Sequence, residues 1–184
     1  MTMTPSSMPE LGTQAPDFTL PDVVTGKNVS RDSVAGKKAL LVMFLSRHCP
    51  FVQHVQQELA KIGRDYLASG IGIVAICSND VVTHPDDSSA NLARQSQELG
   101  FVFPYLYDET QDVARAYDAQ CTPDFFLYDD QMRLVYRGQL DDSRPKSDTP
   151  VTGRDLRAAM DAVASGKLVS AAQRPSIGCN IKWK

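Results

Sequence analysis

The 184 residues, with 42% hydrophobic and 22% charged positions, have the composition of one globular domain, which excludes fibrous and disordered classes. Area scaling leaves about 8,800 Å² of folded surface against about 29,000 Å² extended, so about 70% is buried and no metal or disulfide staple is required. With 19 basic against 22 acidic residues the formal net charge is −3, too weak a field for a nucleic-acid or anionic-membrane partner. No apolar run approaches the roughly 18 residues of a membrane span, and the opening MTMTPSSMPE has neither the basic nor the apolar part of a secretion signal. A cytoplasmic protein is therefore expected.

Residues 1–14 are polar, with Pro5 and Pro9 and no periodicity, and predict a flexible arm ahead of a single domain over 15–184. Two continuous apolar runs, 40–45 (LLVMFL) and 71–77 (IGIVAIC), have the pattern of strands covered on both faces. Between them Val52, Val55, Leu59, Ile62 and Tyr66 recur at +3/+4 spacing, an amphipathic helix with one buried stripe. Strand, helix, strand at these lengths implies a right-handed crossover and a parallel pair.

The polar stretch 78–89 supplies a cap for a weaker helix over 88–99, stopped by Gly100. A short strand follows at 103–107, then a helix near 110–117. Runs 124–128 and 132–137, joined by Asp129-Asp130-Gln131, read as an antiparallel hairpin. Thr152 with Asp155 resembles a capping box ahead of a last helix whose inward face is Leu156, Ala159, Met160 and Val163, ended by Gly166. The tail 167–184 shows no pattern. The order describes one α/β domain, a mixed sheet with helices on both faces.

Four cysteines, Cys49, Cys77, Cys121 and Cys179, are too few and too dispersed for a disulfide scaffold, and no CxxC pair exists. Cys49 lies in Ser46-Arg47-His48-Cys49-Pro50, where the first apolar strand gives way to the amphipathic helix. Pro50 suits a first helical turn, so Cys49 falls at the N-cap, facing free backbone N–H groups and the positive end of the helix dipole. Both favour thiolate over thiol, and the thiolate is the nucleophile. A reactive Cys49 requires a solvent-reachable sulfur and a helix beginning at Pro50. Cys77 closes an apolar strand and reads as inert core. His48 adjoins the cysteine, His54 lies off its helix face, and His84 belongs to a polar loop.

The chain resembles the thioredoxin fold, in its redoxin branch, the alkyl hydroperoxide reductase/thiol-specific antioxidant group. The resemblance runs from Ala15-Pro16-Asp17-Phe18-Thr19-Leu20-Pro21-Asp22 through His48-Cys49-Pro50-Phe51-Val52 to Cys121-Thr122-Pro123-Asp124-Phe125-Phe126-Leu127 and Tyr136-Arg137-Gly138. It implies a mixed central sheet with an N-terminal β extension, and a cis proline at Pro123 beside the reactive cysteine. Three departures stand out. Val52 replaces the second cysteine of a CxxC, Met43 stands where thioredoxins bury an acid, and Val42 replaces the proline of the peroxiredoxin PxxxTxxC pattern, in which Ser46 supplies the hydroxyl. That hydroxyl would bond the thiolate or a peroxide oxygen. Arg47, Arg137 and Arg144 are candidates to polarise a peroxide.

The resemblance implies a thiol oxidoreductase with Cys49 as nucleophile, Ser46, Thr122 and Pro123 shaping the site, and Cys121 as first-choice resolving thiol, since the segment before the proline runs along the active cysteine. Cys179 in the tail is the second choice. A hydroperoxide or a disulfide would be the substrate, a thiol reductant such as thioredoxin or glutathione the electron donor, and no organic cofactor is implied. The rival from another class is a non-enzymatic redox-sensing or metal-binding module, in which Cys49 and Cys121, joined by His48 or Cys179, hold a metal ion or a regulatory disulfide.

Overall fold

A computed structural model describes residues 3–184. In chain order it contains β1 (Met3–Pro5), β2 (Thr19–Pro21), β3 (Asn28–Ser30), α1 (Arg31–Val34), β4 (Ala39–Phe44), α2 (Pro50–Asp65), β5 (Ile71–Cys77), a 3₁₀ turn (Pro85–Asp87), α3 (Ser89–Leu99) and β6 (Tyr105–Tyr107). Then come α4 (Asp112–Ala116), β7 (Cys121–Thr122), β8 (Asp124–Asp129), β9 (Leu134–Gly138), α5 (Arg154–Ala164) and β10 (Ile177–Asn180).

The central sheet has the order β6-β5-β4-β8-β9. β4, β5 and β6 are parallel, as the βαβ crossover requires, while β8 runs antiparallel to both β4 and β9. Strand alternation divides the core between two faces. Leu41, Met43 and Leu45 pack with Val52, Val55 and Leu59 of α2 and Leu156 and Met160 of α5. Leu40, Val42 and Phe44 pack on the other side with Phe18, Tyr117 and Ile181. Fully buried Phe44, Tyr105, Phe125 and Phe126 each contribute about 1.5–3 kcal/mol by leaving water. β2 and β3 form an antiparallel hairpin, the N-terminal β extension. Among the described residues no helix is long and apolar enough to cross a membrane.

Several elements depart from the sequence expectation. The helix near 110–117 shrinks to α4 because Gln111 takes a left-handed conformation (φ 68°), its amide donating to the carbonyls of Ser78 (2.7 Å) and Lys182 (2.9 Å). The capping box at Thr152 does not form. Gly153 (φ 68°) is the N-cap, and the buried Asp141 carboxylate accepts from the N–H groups of Thr152 and Gly153, both at 2.7 Å. Asp155 instead accepts from Gln139 Nε2 at 2.7 Å.

The two ends of the chain differ most. Within the arm predicted over 1–14, Met3–Pro5 is a strand, and the tail supplies β10; they join β7 in a separate three-stranded sheet of order β1-β10-β7. Both pairings are antiparallel, with Met3 opposite Cys179 and Cys179 opposite Thr122. Neither terminal segment carries enough apolar periodicity to announce a strand, since each is stabilised by its partner.

Candidate active site

Cys49 is the N-cap of α2 and Pro50 its first residue. The Cys49 carbonyl accepts the first helical bond from Gln53 N–H at 2.9 Å. The Cys49 N–H donates to Ser46 Oγ at 3.2 Å, so the Ser46 hydroxyl holds the loop backbone where the sequence had placed it on the sulfur. No side-chain hydrogen bond caps the helix, and the Cys49 sulfur lies near the free Val52 N–H.

The nearest thiol is that of Cys179. Its Sγ lies 2.6 Å from the Cys49 Sγ, and the Thr122 carbonyl oxygen is 3.2 Å from the Cys49 sulfur. Cys121 is not brought to the pair: its sulfur contacts the Pro123 carbonyl oxygen at 3.7 Å. Strand alternation is the reason. Residues opposite each other in an antiparallel pair share a face, so Cys179 points with Thr122, and Cys121, the preceding residue of β7, points the other way. The Thr122–Pro123 peptide bond is cis. Proximity in sequence to Pro123 therefore does not bring the Cys121 sulfur to Cys49.

Electrostatics separate the thiols. Hydrogen bonding from Cys179 holds the Cys49 thiol below its usual range, to about 6, against burial that pushes it up; Thr122 and the Val52 N–H add to the lowering. The Thr122 hydroxyl is buried with no hydrogen-bond partner. Cys179 moves the opposite way, because it holds a proton beside the Cys49 charge and is itself buried. The proton between the two sulfurs thus belongs to Cys179. Burial pushes Cys121 far up, with the nearby Asp124 adding to it, and burial does the same to Cys77.

The helix starts where the sequence put it, but the sulfur is not at the surface. Cys49 is 0% exposed and Cys179 2%, because β10 lies across the site. A charged relay clamps the segment after β10. Buried Asp87 accepts from Arg47 N–H (2.7 Å), His48 N–H (3.3 Å) and Asn79 Nδ2 (2.8 Å), and pairs with His48 Nδ1 at 2.6 Å. Asn79 Oδ1 in turn accepts from Lys182 N–H at 2.8 Å. The bond to Asp87 raises the His48 pKa despite partial burial. His84 stacks on His48, ring centroids 4.9 Å apart, and burial lowers its pKa. Asp87 and Asn79 went unnoticed in the sequence because a polar loop residue shows no sign of being buried, and Lys182 because it joins through its backbone N–H.

The remaining candidates lie elsewhere. His54 Nε2 meets Ser143 Oγ at 2.7 Å. Arg47 donates to Asn91 O, Arg137 to Pro9 O and Gln173 Oε1, and Arg144 to Asp141 O, Ser143 O and Gln139 Oε1. Among the described residues no group of three or more His, Cys, Asp or Glu side chains is placed to hold a metal ion.

The AhpC/TSA family matches over residues 11–137, which takes in the central sheet up to Arg137 of β9, together with Cys49 and Pro123. The chain belongs to the AhpC/TSA family. That membership supports a thiol oxidoreductase in general; the matched segment contains Cys49 and ends before Cys179. An uncharacterised conserved protein from Geobacillus kaustophilus is 52% identical with TM-score 0.98, covering 100% of this chain and 97% of its own. A hypothetical protein from Sinorhizobium meliloti is 50% identical with TM-score 0.96, covering 98% of each chain. A thiol:disulfide interchange protein of the thioredoxin family from Chlorobium tepidum is 18% identical with TM-score 0.62, covering 86% of this chain and 97% of its own. This last likeness shows the thioredoxin fold. No curated protein sequence matches the chain.

Proposed function

We propose that this AhpC/TSA-family protein is a thiol–disulfide oxidoreductase in which Cys49 is the nucleophile and Cys179 the resolving thiol. The observation that carries the reading is the 2.6 Å approach of the two sulfurs at the N-terminus of α2. The Cys49 thiolate attacks a substrate disulfide R–S–S–R′, forming Cys49–S–S–R and releasing R′–S⁻, which takes up a proton. With the Cys49 charge consumed, Cys179 no longer holds its proton against it and yields it to the departing R′–S⁻. Its thiolate then displaces R–S⁻, leaving a Cys49–Cys179 disulfide. Two thiols from a reductant such as thioredoxin or glutathione restore the pair and carry the electrons.

A hydroperoxide substrate is less well served. Polarising the O–O bond asks for a cation at the sulfur, and Arg47, Arg137 and Arg144 are all engaged with carbonyl or amide oxygens away from it. Cys49 has no exposure, against the solvent-reachable sulfur that a reactive Cys49 requires, so the proposed exchange holds only if β10 moves aside for the substrate.

The test is multiple turnover on a disulfide with a thiol reductant, alongside consumption of hydrogen peroxide. Disulfide reduction is expected to outpace peroxide consumption and to vanish in Cys49→Ser, and Cys179→Ser is expected to accumulate a mixed disulfide on Cys49. Undiminished turnover in Cys49→Ser, or resolution of the mixed disulfide by Cys121, defeats the scheme.

A further inference from the structure

We propose that Gly178 is a positioning residue for the Cys49–Cys179 pair: only the absence of a side chain there lets β10 approach β7 closely enough to set the Cys179 sulfur on Cys49. The inference rests on the reading of that pair as the redox couple.

Gly178 immediately precedes Cys179 in β10, beside the Thr122–Pro123 turn. A Cβ built on it would overlap the Thr122 carbonyl oxygen and lie 2.7 Å from the Thr122 carbonyl carbon and 3.2 Å from the Pro123 nitrogen. All three obstacles are backbone. None can swing aside as the end of a long side chain would, and Thr122 and Asp124 on either side of Pro123 are buried. The central sheet takes over at Asp124, which pairs with Phe44. The turn therefore stays and β10 must retreat, carrying the adjacent Cys179 with it.

The retreat is local, because β10 is tied at both ends. Ser176 N–H donates to Ser6 Oγ at 2.9 Å and Ser176 Oγ to Gly138 O at 3.0 Å. Beyond the strand, Ile181 N–H donates to Gln120 O at 3.1 Å and Lys182 N–H to Asn79 Oδ1 at 2.8 Å. A side chain at position 178 thus bows the strand outward between fixed ends and opens the sulfur-to-sulfur distance. Two properties of the pair depend on that distance, the rate at which Cys179 attacks a mixed disulfide on Cys49 and the hydrogen bond from Cys179 that acidifies Cys49.

The experiment compares wild type with Gly178→Ala, Cys179→Ser and the double variant Gly178→Ala/Cys179→Ser. Single-turnover kinetics follow resolution of a mixed disulfide preformed on Cys49, and thiolate ultraviolet absorbance, with Cys49→Ser as the blank, gives the Cys49 titration midpoint. Gly178→Ala is expected to slow resolution by about 100-fold, the usual cost of misplacing a reacting group by about 1 Å. Its midpoint is expected to move up toward that of Cys179→Ser, and the double variant to match Cys179→Ser, because Gly178 acts only through Cys179. Wild-type resolution and midpoint in Gly178→Ala overturn the inference, as does a midpoint in the double variant well above that of Cys179→Ser. Circular dichroism and urea unfolding accompany both, and a globally unfolded Gly178→Ala also overturns it, since the effect is placed in β10 alone. Turnover surviving in Cys49→Ser would instead overturn the underlying redox reading, whatever Gly178 does.

Discussion

Cys121 and Cys179 occupy neighbouring strands of the same small sheet, one paired residue apart, and they do opposite things. The Cys179 side chain lies against the Cys49 sulfur and shares a proton with it; the Cys121 side chain turns into the protein, where burial makes ionisation costly. The two thiols have the same chemistry and lie on paired strands, so what separates them is the two-residue period of a β-strand. Which sulfur lies against Cys49 is decided by the face of β7 or β10 it occupies.

Substitutions on each side of that contrast test it, beginning with the nucleophile on which both depend. Cys49→Ser is expected to lower disulfide turnover by ~10³-fold or more. Cys179→Ser is expected to slow resolution by ~100-fold and raise the Cys49 titration midpoint from about 6 by about one to two pH units, the worth of a hydrogen bond to a charged group. Since the pKa is lowered in the folded protein, the rate of the first attack in wild type is full above about pH 6 and declines as the pH falls through that value, while in Cys179→Ser the decline begins at higher pH. A pH–rate profile of mixed-disulfide formation reads both.

The Cys179 side is also held by the relay from His48 through Asp87 and Asn79 to Lys182. Asp87→Asn is expected to cost about 1–3 kcal/mol of stability, read by urea unfolding. The sign depends on two groups. His48 is raised by Asp87, so its share is present below about pH 6.5 and lost as the pH rises through its raised value. Burial pushes Asp87 up, but the bonds from His48 and Asn79 outweigh it and leave the carboxyl below its usual range, so its share is present above about pH 4 and lost as the pH falls through the lowered value. The difference between wild type and variant is therefore expected to be greatest between about pH 4 and 6.5.

On the Cys121 side, Asp124 is fully buried, with one carboxyl oxygen unpartnered, and burial pushes it up to about 8. The folded protein binds the proton more tightly than the unfolded chain, so wild type loses stability relative to Asp124→Asn as the pH rises from about 4 toward 8, by about 1 kcal/mol or more at the upper end. Thermal unfolding across that range checks it. The smallest effect is expected of Cys121→Val, a near volume-conserving exchange in a buried site. It is expected to cost less than ~1.5 kcal/mol and leave the Cys49 midpoint and turnover in place. Slow resolution in this variant would reverse the assignment of the two thiols.

The central domain was legible because its signals are local. A continuous apolar run, a stripe at +3/+4 spacing and a Cys-Pro at their junction place β4, α2 and the Cys49 N-cap without any knowledge of the fold. Gly166 ends α5 region residues with a positive φ, as a helix-terminating glycine does. The capping box at Thr152 failed because Asp141, eleven residues upstream, supplies the acceptor for its N–H. Burial of Asp87 depends on Arg47, His48 and Asn79 meeting around it, and no single stretch of chain shows that convergence.

By itself the amino-acid sequence determined that a cysteine stands at the start of α2, because a strand-to-helix junction and a first-turn proline are signals carried by a handful of neighbouring residues, whereas the lowering of its pKa comes first from Cys179. Only the tertiary structure decided which second thiol meets Cys49 and whether solvent reaches the pair. Cys179 lies 130 residues from Cys49 in the chain, and its place depends on strand register and on a glycine-wide gap beside Thr122, both of which exist only once β1, β10 and β7 have paired.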